Sequence, residues 1–140
     1  MNTTPMRTAQ RIYPAIRYEN AKAAIEWLTT VLGFKAQEVC PGEGDSVAHA
    51  ELALGGNLIM LGSVQPGAYA RSAKALGGVT ATIYVALDTA ADVDASYARA
   101  KSAGADVIRE LSDTEYGSRE FGVCDLEGHV WSFGTYRPQA

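Results

Sequence analysis

The sequence of 140 residues lacks the features that mark several specialised classes of protein. Its two cysteines, Cys40 and Cys124, provide neither a disulfide framework nor zinc-ligand spacing, so we interpret both as structural thiols. Lys and Arg number 12 against 16 Asp and Glu, and no basic run exists to neutralise phosphates. A nucleic-acid partner is therefore not expected. No apolar stretch approaches the roughly 20 residues that span a bilayer, so no membrane association is expected either.

The N-terminal segment is polar and lacks the apolar centre of a signal peptide. We expect residues 1–10 to form a flexible arm and the protein to be cytoplasmic. The apolar fraction of 47% is ordinary for a soluble globular protein and too high for a disordered chain. The length suits one domain, or two small units that share a core.

An internal repeat organises the chain. Three matches occur in the same order and at nearly the same spacing, which predicts two copies of one unit. The first pairing makes Tyr13 and Tyr84 counterparts. The matched segments are residues 12–16 (IYPAI) with 83–87 (IYVAL), Gly33 with Gly104, and residues 56–61 (GNLIML) with 128–133 (GHVWSF).

Each copy predicts the element order βαβββ. In the first copy, Asn20 is the expected cap of a helix with apolar residues at helical spacing, and Gly33 is the left-handed stop. Gly55 and Gly56 form the expected turn of its last hairpin. The first copy has predicted strands at 12–18, 35–39, 47–54 and 58–61 around a helix at 21–32. The second has strands at 81–87, 106–110, 118–124 and 130–136 around a helix at 91–103, with a turn at 125–128.

The predicted fold class is therefore α+β, with one βαβββ unit at residues 11–62 and a second at residues 79–138. Residues 63–78, rich in Gly and Ala, are the expected linker or mobile flap between the units. Four motifs accompany this pattern. They are VLGF at 31–34, HAEL at 49–52, YGSRE at 116–120 and DLEGHVWSFG at 125–134.

Paired βαβββ units with these motifs resemble the vicinal oxygen chelate superfamily, which includes glyoxalase I, bleomycin resistance proteins and extradiol dioxygenases. The resemblance covers residues 11–138. It implies curved, cup-shaped mixed sheets covered by helices, assembled as a symmetric homodimer whose second copy covers open strand edges.

The resemblance also identifies the positions at which the superfamily's metalloenzymes hold a divalent metal. In those enzymes, each unit offers a His on its first strand and a Glu on its last. The corresponding residues here are Tyr13, Met60, either Thr82 or Tyr84, and Ser132. None is a carboxylate or imidazole donor, so we expect no metal and no other cofactor.

Strand alternation predicts which side chains line the cup. The pattern directs Trp131 and Phe133 toward the helices, places Met60 opposite His49 and Ser132 opposite Phe121, and leaves Glu120 outside the cup as a structural ion-pair partner. Arg119 on the cup face needs a carboxylate, either Glu51 or an anionic ligand. The predicted ligand-binding residues are Tyr13, Arg17, His49, Glu51, Met60, Tyr84, Arg119, Phe121 and Ser132.

Two functions fit this apolar and aromatic set with its few hydrogen-bonding groups. The first is a metal-independent protein that encloses a small aromatic or amphipathic molecule, as the resemblance to bleomycin resistance proteins implies. The second is a lyase, isomerase or dioxygenase of the glyoxalase type, with His49 as the best catalytic candidate. That enzyme would use a relocated metal site at His49 and Glu51, or metal-free acid–base chemistry by His49 and Tyr13.

Overall fold

The chain folds into eight strands and three helices in the computed structural model, which describes residues 9–140. The predicted arm at residues 1–10 lies outside the described residues except for its last two. The elements are β1 (Ala15–Tyr18), α1 (Ala21–Thr30), β2 (Lys35–Pro41), β3 (Val47–Leu54), β4 (Asn57–Ser63), α2 (Ala73–Leu76), β5 (Ile83–Ala86), α3 (Ala90–Ser102), β6 (Asp106–Asp113), β7 (Arg119–Cys124) and β8 (Val130–Gly134).

The strands form two four-stranded mixed sheets, in the orders β1-β4-β3-β2 and β5-β8-β7-β6. In each sheet the first strand is parallel to the last, and the remaining pairs are antiparallel. The same topology occurs twice, so the predicted α+β fold of two βαβββ units is confirmed.

Helix α1 begins at Ala21, as the sequence predicted, and ends at Thr30, two residues before the predicted end at Leu32. The side chain of Asn20 accepts a hydrogen bond from the backbone N–H of Ala23 at 3.1 Å. Gly33 has a φ of 84° and turns the chain so that Phe34 N–H donates to the carbonyl of Leu28. This turn delivers Phe34 to the ring of Trp131 in the second unit, at a centroid distance of 5.5 Å.

The helix faces of both sheets share one core. Leu28 of α1, Leu52 of β3, and Trp131 and Phe133 of β8 are fully buried in it. The prediction that Trp131 and Phe133 face the helices is therefore confirmed.

A buried carboxylate connects the two units. Asp125 accepts hydrogen bonds from the Tyr18 hydroxyl at 2.6 Å and from the Trp131 indole at 3.1 Å. Its other oxygen accepts from the backbone N–H groups of Glu127 and His129. Asp125 therefore shapes the β7–β8 turn and fixes β1 against it.

Two details of the repeat differ from the prediction. Strand β1 begins at Ala15, because Pro14 has no N–H for the ladder and contributes only its carbonyl, which accepts from Met60. Ile16 pairs with Leu61 and Val85 with Phe133. The counterpart of Tyr84 is therefore Ala15, and the sequence alignment of the first strands was wrong by two residues.

The segment between the units contains a short helix that the sequence analysis missed. The side chain of Ser72 caps α2 at Ala75 N–H, and Gly77 ends the helix in the left-handed conformation. Ser72 before a short Ala- and Leu-containing run, with Gly77 after it, was the available signal. Helix α2 contacts β1, so this segment returns to the first sheet.

Candidate ligand-binding site

The first sheet presents Arg17, His49, Glu51 and Met60 on the face opposite the helices, which we call the first cup face. The neighbouring residues of β3, Ala50 and Leu52, are fully buried toward the helices, so strand alternation directs His49 and Glu51 the other way. Met60 pairs with Glu51, and the prediction that it lies opposite His49 was wrong by two residues.

His49 and Glu51 form a close pair on this face. The Nε2 atom of His49 lies 2.8 Å from a carboxylate oxygen of Glu51, and their side chains are 41% and 37% exposed. Both groups are therefore within reach of a molecule in the cup.

Arg17 lies over Gly62 on the same face. These two residues are partners in the β1–β4 ladder, and a Cβ atom added to Gly62 would lie 2.5 Å from Nη1 of Arg17. That nitrogen donates a hydrogen bond of 3.3 Å to the carbonyl of Ser63. The missing side chain of Gly62 thus provides the space that the guanidinium group fills.

The second sheet presents its own cup face, formed by Tyr84, Glu120, Gly122 and Ser132. Ser132 is the ladder partner of both Tyr84 and Gly122. Tyr84 donates its hydroxyl to the carbonyl of Tyr136 at 2.6 Å, which attaches the C-terminal segment to this face.

Glu120 is the site residue that the sequence analysis misplaced. It is 3% exposed and lies on the cup face, where one carboxylate oxygen accepts from Arg109 at 3.0 Å and from the Tyr116 hydroxyl at 2.9 Å. Burial alone would raise the pKa of Glu120, but hydrogen bonds from Ser118, Tyr116 and Arg109 outweigh it and lower the pKa. Glu120 is therefore a buried anion that the second unit itself neutralises.

Phe121 and Arg119 do not line the cup, and their predicted placement was wrong. Phe121 pairs with Phe133, stacks on it at 5.2 Å and is fully buried. Arg119 contacts Asp94 of α3 at 2.5 Å and Asp113 at 3.0 Å, so the expected partner Glu51 is also wrong. The cause is one residue of register in the β7–β8 hairpin, because a slip by one moves every side chain to the opposite face.

Tyr13 precedes β1 and donates its hydroxyl to the carbonyl of Gln10 at 2.8 Å. Gln10 in turn donates to the carbonyl of Leu58 and accepts from its N–H, at 2.8 and 2.6 Å. Tyr13 therefore contacts the N-terminal segment, and the structure does not bring its hydroxyl to His49.

The residues at the superfamily's metal positions do not fit a divalent ion. Met60 and Ser132 occupy the last-strand positions, beside Ala15 and Tyr84 respectively. A thioether and a hydroxyl are poor substitutes for the carboxylates that hard cations prefer. Within residues 9–140, no three His, Cys, Asp or Glu side chains are grouped as a metal site would require.

A cavity of about 500 Å³ lies between the units and is lined by all four residues of β5. Its apolar lining includes Phe34, Ile59 and Val85, and Tyr84 is the only predicted site residue on its lining. The cavity therefore shares Tyr84 with the second cup face and does not include the residues of the first cup face.

Comparison with known proteins identifies relatives over nearly the whole chain. A sequence model described as the Glyoxalase/Bleomycin resistance protein/Dioxygenase superfamily matches residues 11–133. An uncharacterized protein of Mycobacterium tuberculosis is 33% identical over 138 residues, covering 95% of this chain and 78% of that protein.

Solved structures show the same fold. TioX from Micromonospora sp. ML1 has a TM-score of 0.71 and 29% identity, covering 94% of this chain and 99% of its own. The genomically encoded fosfomycin resistance protein FosX from Listeria monocytogenes has a TM-score of 0.63 and 12% identity, covering 90% and 92%. The likeness to FosX is one of fold alone. In the part of the chain that the structure describes, no helix has the length and apolar character needed to cross a membrane.

Proposed function

Since the chain belongs to the Glyoxalase/Bleomycin resistance protein/Dioxygenase superfamily, we propose that it binds a small aromatic or amphipathic molecule in its cup without a metal. The observation that carries this proposal is the donor chemistry at the superfamily's metal positions. Met60 and Ser132 stand where a metalloenzyme needs carboxylates, so these positions suit contact with an organic ligand better than coordination.

The two cup faces supply what such a ligand needs. Met60 and Tyr84 offer apolar and aromatic surface, while Arg17, His49 and Glu51 offer hydrogen-bonding groups. Small-molecule sites combine a mostly apolar lining with a few polar groups that fix orientation.

We further propose that the protein acts as a homodimer. Strands β1 and β5 each have a single ladder partner, so each leaves an open edge. Ile12, beside β1, is 88% exposed, and the β5 residues that point toward the core are only partly buried. A second copy that covers these edges would bring cup faces of different chains together. We expect a dimer by light scattering at micromolar concentration, and a monomer with a cooperative melt would contradict this.

The metal content and the thermal response to ligands test the main proposal. We expect no stoichiometric divalent metal in the purified protein and no rise in melting temperature with Mn²⁺, Ni²⁺ or Zn²⁺. Small aromatic compounds should raise the melting temperature, because a ligand that binds only the folded state stabilises it. Tyr84→Ala should remove that rise, while Tyr69→Ala, which truncates a fully exposed tyrosine, should leave it unchanged.

The close pair of His49 and Glu51 favours one second candidate, an enzyme of the glyoxalase type with a relocated metal site. One tightly bound metal per chain that is lost in His49→Ala would replace the binding proposal with this one. For the compartment we propose the cytoplasm, which suits the unpaired thiols of Cys40 and Cys124.

A further inference from the structure

We propose that the ligand carries a compact organic anion, such as a carboxylate, and that Arg17 on the first cup face binds it. This inference rests on the proposed binding of a small molecule and specifies the chemistry of that molecule. The sequence analysis offered Arg119 as a candidate for contact with an anionic ligand. We assign that contact to Arg17 instead, because the described residues give it no carboxylate partner.

Arg17 has no carboxylate partner in the part of the chain that the structure describes. Among residues 9–140, no Asp, Glu or C-terminal oxygen lies within 4.0 Å of its guanidinium nitrogens, and residues 1–8 contain no acidic residue. Among the described residues, its guanidinium group donates a hydrogen bond of 3.3 Å to the carbonyl of Ser63. A guanidinium group keeps its charge at every physiological pH and has five N–H donors, so half-buried Arg17 has donors left for a ligand.

The other arginines near packed surfaces are accounted for within the protein. Arg109 is paired with Glu120, and Arg119 is paired with two aspartates of the helix side. Arg99 donates from Nε to the carbonyl of Val31 at the end of α1, which is a capping contact. Arg17 alone in this group faces the cup without such a partner.

Gly62 leaves space for the guanidinium group of Arg17 and does not neutralise its charge. Its φ is not in the left-handed region, so a glycine is required there for space and not for a turn. An added Cβ would lie 2.5 Å from Nη1 of Arg17 and 2.9 Å from the carbonyl oxygen of Ala48. The group therefore lies against backbone on one side, and its remaining donors are available to a ligand.

The other charged groups on and beside the two cup faces already have partners. Glu51, on the same face, contacts His49 and not Arg17. On the second cup face, Arg109 is already paired with Glu120, so that arginine is not available to an anionic ligand. The net charge of −4 gives the protein no general attraction for anions, so a measured preference would come from a local group.

Three matched pairs of acids and neutral amides test the inference. They are benzoate with benzamide, 2-naphthoate with 2-naphthamide, and indole-3-acetate with indole-3-acetamide. We expect the wild-type protein to bind the acid of at least one pair about tenfold more tightly than its amide, measured calorimetrically, because hydrogen bonds to charged groups are the stronger ones. Arg17→Gln should remove this preference. Arg17→Lys should restore only part of it, because an ammonium group cannot form a two-pronged contact.

Two further variants distinguish the effect of Arg17's position from the effects of net charge and of lost folding. Arg119→Gln removes the same charge on the helix side and should keep the preference. Gly62→Ala keeps the charge and displaces the guanidinium group, so it should reduce the preference; melting curves establish that each variant is folded. Equal binding of acids and amides, or a preference that survives Arg17→Gln, would overturn the inference and leave small-molecule binding intact. Failure of every acid and amide to bind would overturn both.

Discussion

Equivalent glycines in the last strands of the two units make room for opposite charges. Gly62 and Gly134 stand at the same distance from the turn glycines Gly56 and Gly128. A Cβ on Gly62 would meet the guanidinium of Arg17, whereas one on Gly134 would meet the side chain of Glu120 at 2.6 Å and the Tyr84 hydroxyl at 2.7 Å. Each cup face thus has a recess at a glycine. Arg17 fills the recess in the first unit, and Glu120 and Tyr84 fill it in the second.

The recesses differ in whether the protein compensates the charge. Glu120 is buried and receives hydrogen bonds from Arg109 and Tyr116, while Arg17 is half-buried and has one long bond to a carbonyl. We interpret the second cup face as a preformed wall that is already satisfied. The first face retains guanidinium donors that no described carboxylate accepts, and an anionic ligand can accept charge-assisted hydrogen bonds from them.

The helix faces differ as well. At the position where the first unit pairs Ala50 with Leu61, the second pairs Phe121 with Phe133, and Tyr97 of α3 packs edge-on against Phe121 at 5.4 Å. Thirteen of the 19 buried apolar residues that the structure describes belong to the first unit, whereas the second unit contributes six, three of which are large aromatic side chains.

The largest effect should come from removing this aromatic stack. Phe121→Ala should lower the free energy of unfolding by about 3–5 kcal/mol, because it creates a cavity in a fully buried site. Denaturant unfolding followed by circular dichroism measures this loss. Leu126→Ala, which truncates a side chain that is 61% exposed, is the control and should change little. A loss no larger than that of the control would mean that the aromatic stack does not stabilise the second unit's part of the core.

A smaller loss of stability should follow from removing the hydrogen bond between Tyr18 of the first unit and Asp125 of the second. Burial first, and then the negative charge of Asp125, raise the pKa of Tyr18, so its hydroxyl remains a proton donor to that carboxylate. Tyr18→Phe should lower the free energy of unfolding by roughly 1.5–3 kcal/mol, the range for a hydrogen bond to a charged group. Tyr69→Phe is the matched control. The corresponding turn of the first unit contains Gly55 and Gly56, which have no side-chain carboxylate. That turn therefore has no counterpart of the hydrogen bond between Tyr18 and Asp125.

The charge of Glu120 should appear in the pH dependence of stability. Its pKa is lowered in the folded protein, so the folded state binds a proton less readily than the unfolded state. Its contribution is complete above the unfolded value of about 4.3 and is lost as the pH falls through the folded value. Glu120→Gln should cost about 1 kcal/mol at neutral pH and flatten the loss of stability at acidic pH.

A second group titrates at higher pH and must be separated from Glu120. Burial lowers the pKa of His129, against the influence of Asp125. The folded state therefore binds a proton at His129 less readily than the unfolded state, and stability decreases as the pH falls below the unfolded pKa of about 6.5. Wild-type protein and Glu120→Gln should show the same pH dependence in this range, offset by the constant cost of the substitution, and should converge only below about pH 4.5. Identical profiles throughout would show that the ion pair with Arg109 adds nothing to stability.

The sequence predicted the fold well because the repeat and the strand alternation are properties of many residues at once. Ala50 and Leu52 face the helices as the pattern indicated, and His49 and Glu51 face the cup. Single hairpin registers depend instead on the turn. Asp125 organises its turn through hydrogen bonds from Tyr18 and from backbone groups, and contacts of that kind are absent from any periodicity.

The error at Arg119 shows the consequence for the site. The repeat indicated the correct strand, but a one-residue slip exchanged Arg119 with Glu120 and so inverted the charge expected on the second cup face. The uncompensated charge of Arg17 was equally beyond sequence reasoning, because it depends on which carboxylates lie nearby in space.

The smallest effect is expected from Arg119 itself, and it tests the corrected register most directly. The hydrogen bonds that Arg119 donates to Asp94, and then to Asp113, raise the pKa of Arg119, and both partners lie on the helix side of the sheet. Surface ion pairs contribute little to stability because solvent screens them. Arg119→Gln should therefore lower the melting temperature only slightly, and less at high salt, while acids and amides bind as they do to the wild-type protein. Glu120→Gln, one residue away on the opposite face, should show no such salt dependence because its carboxylate is buried. If Arg119→Gln weakened the binding of acids more than that of amides, Arg119 would face the cup after all, and the contrast between the two faces would be lost.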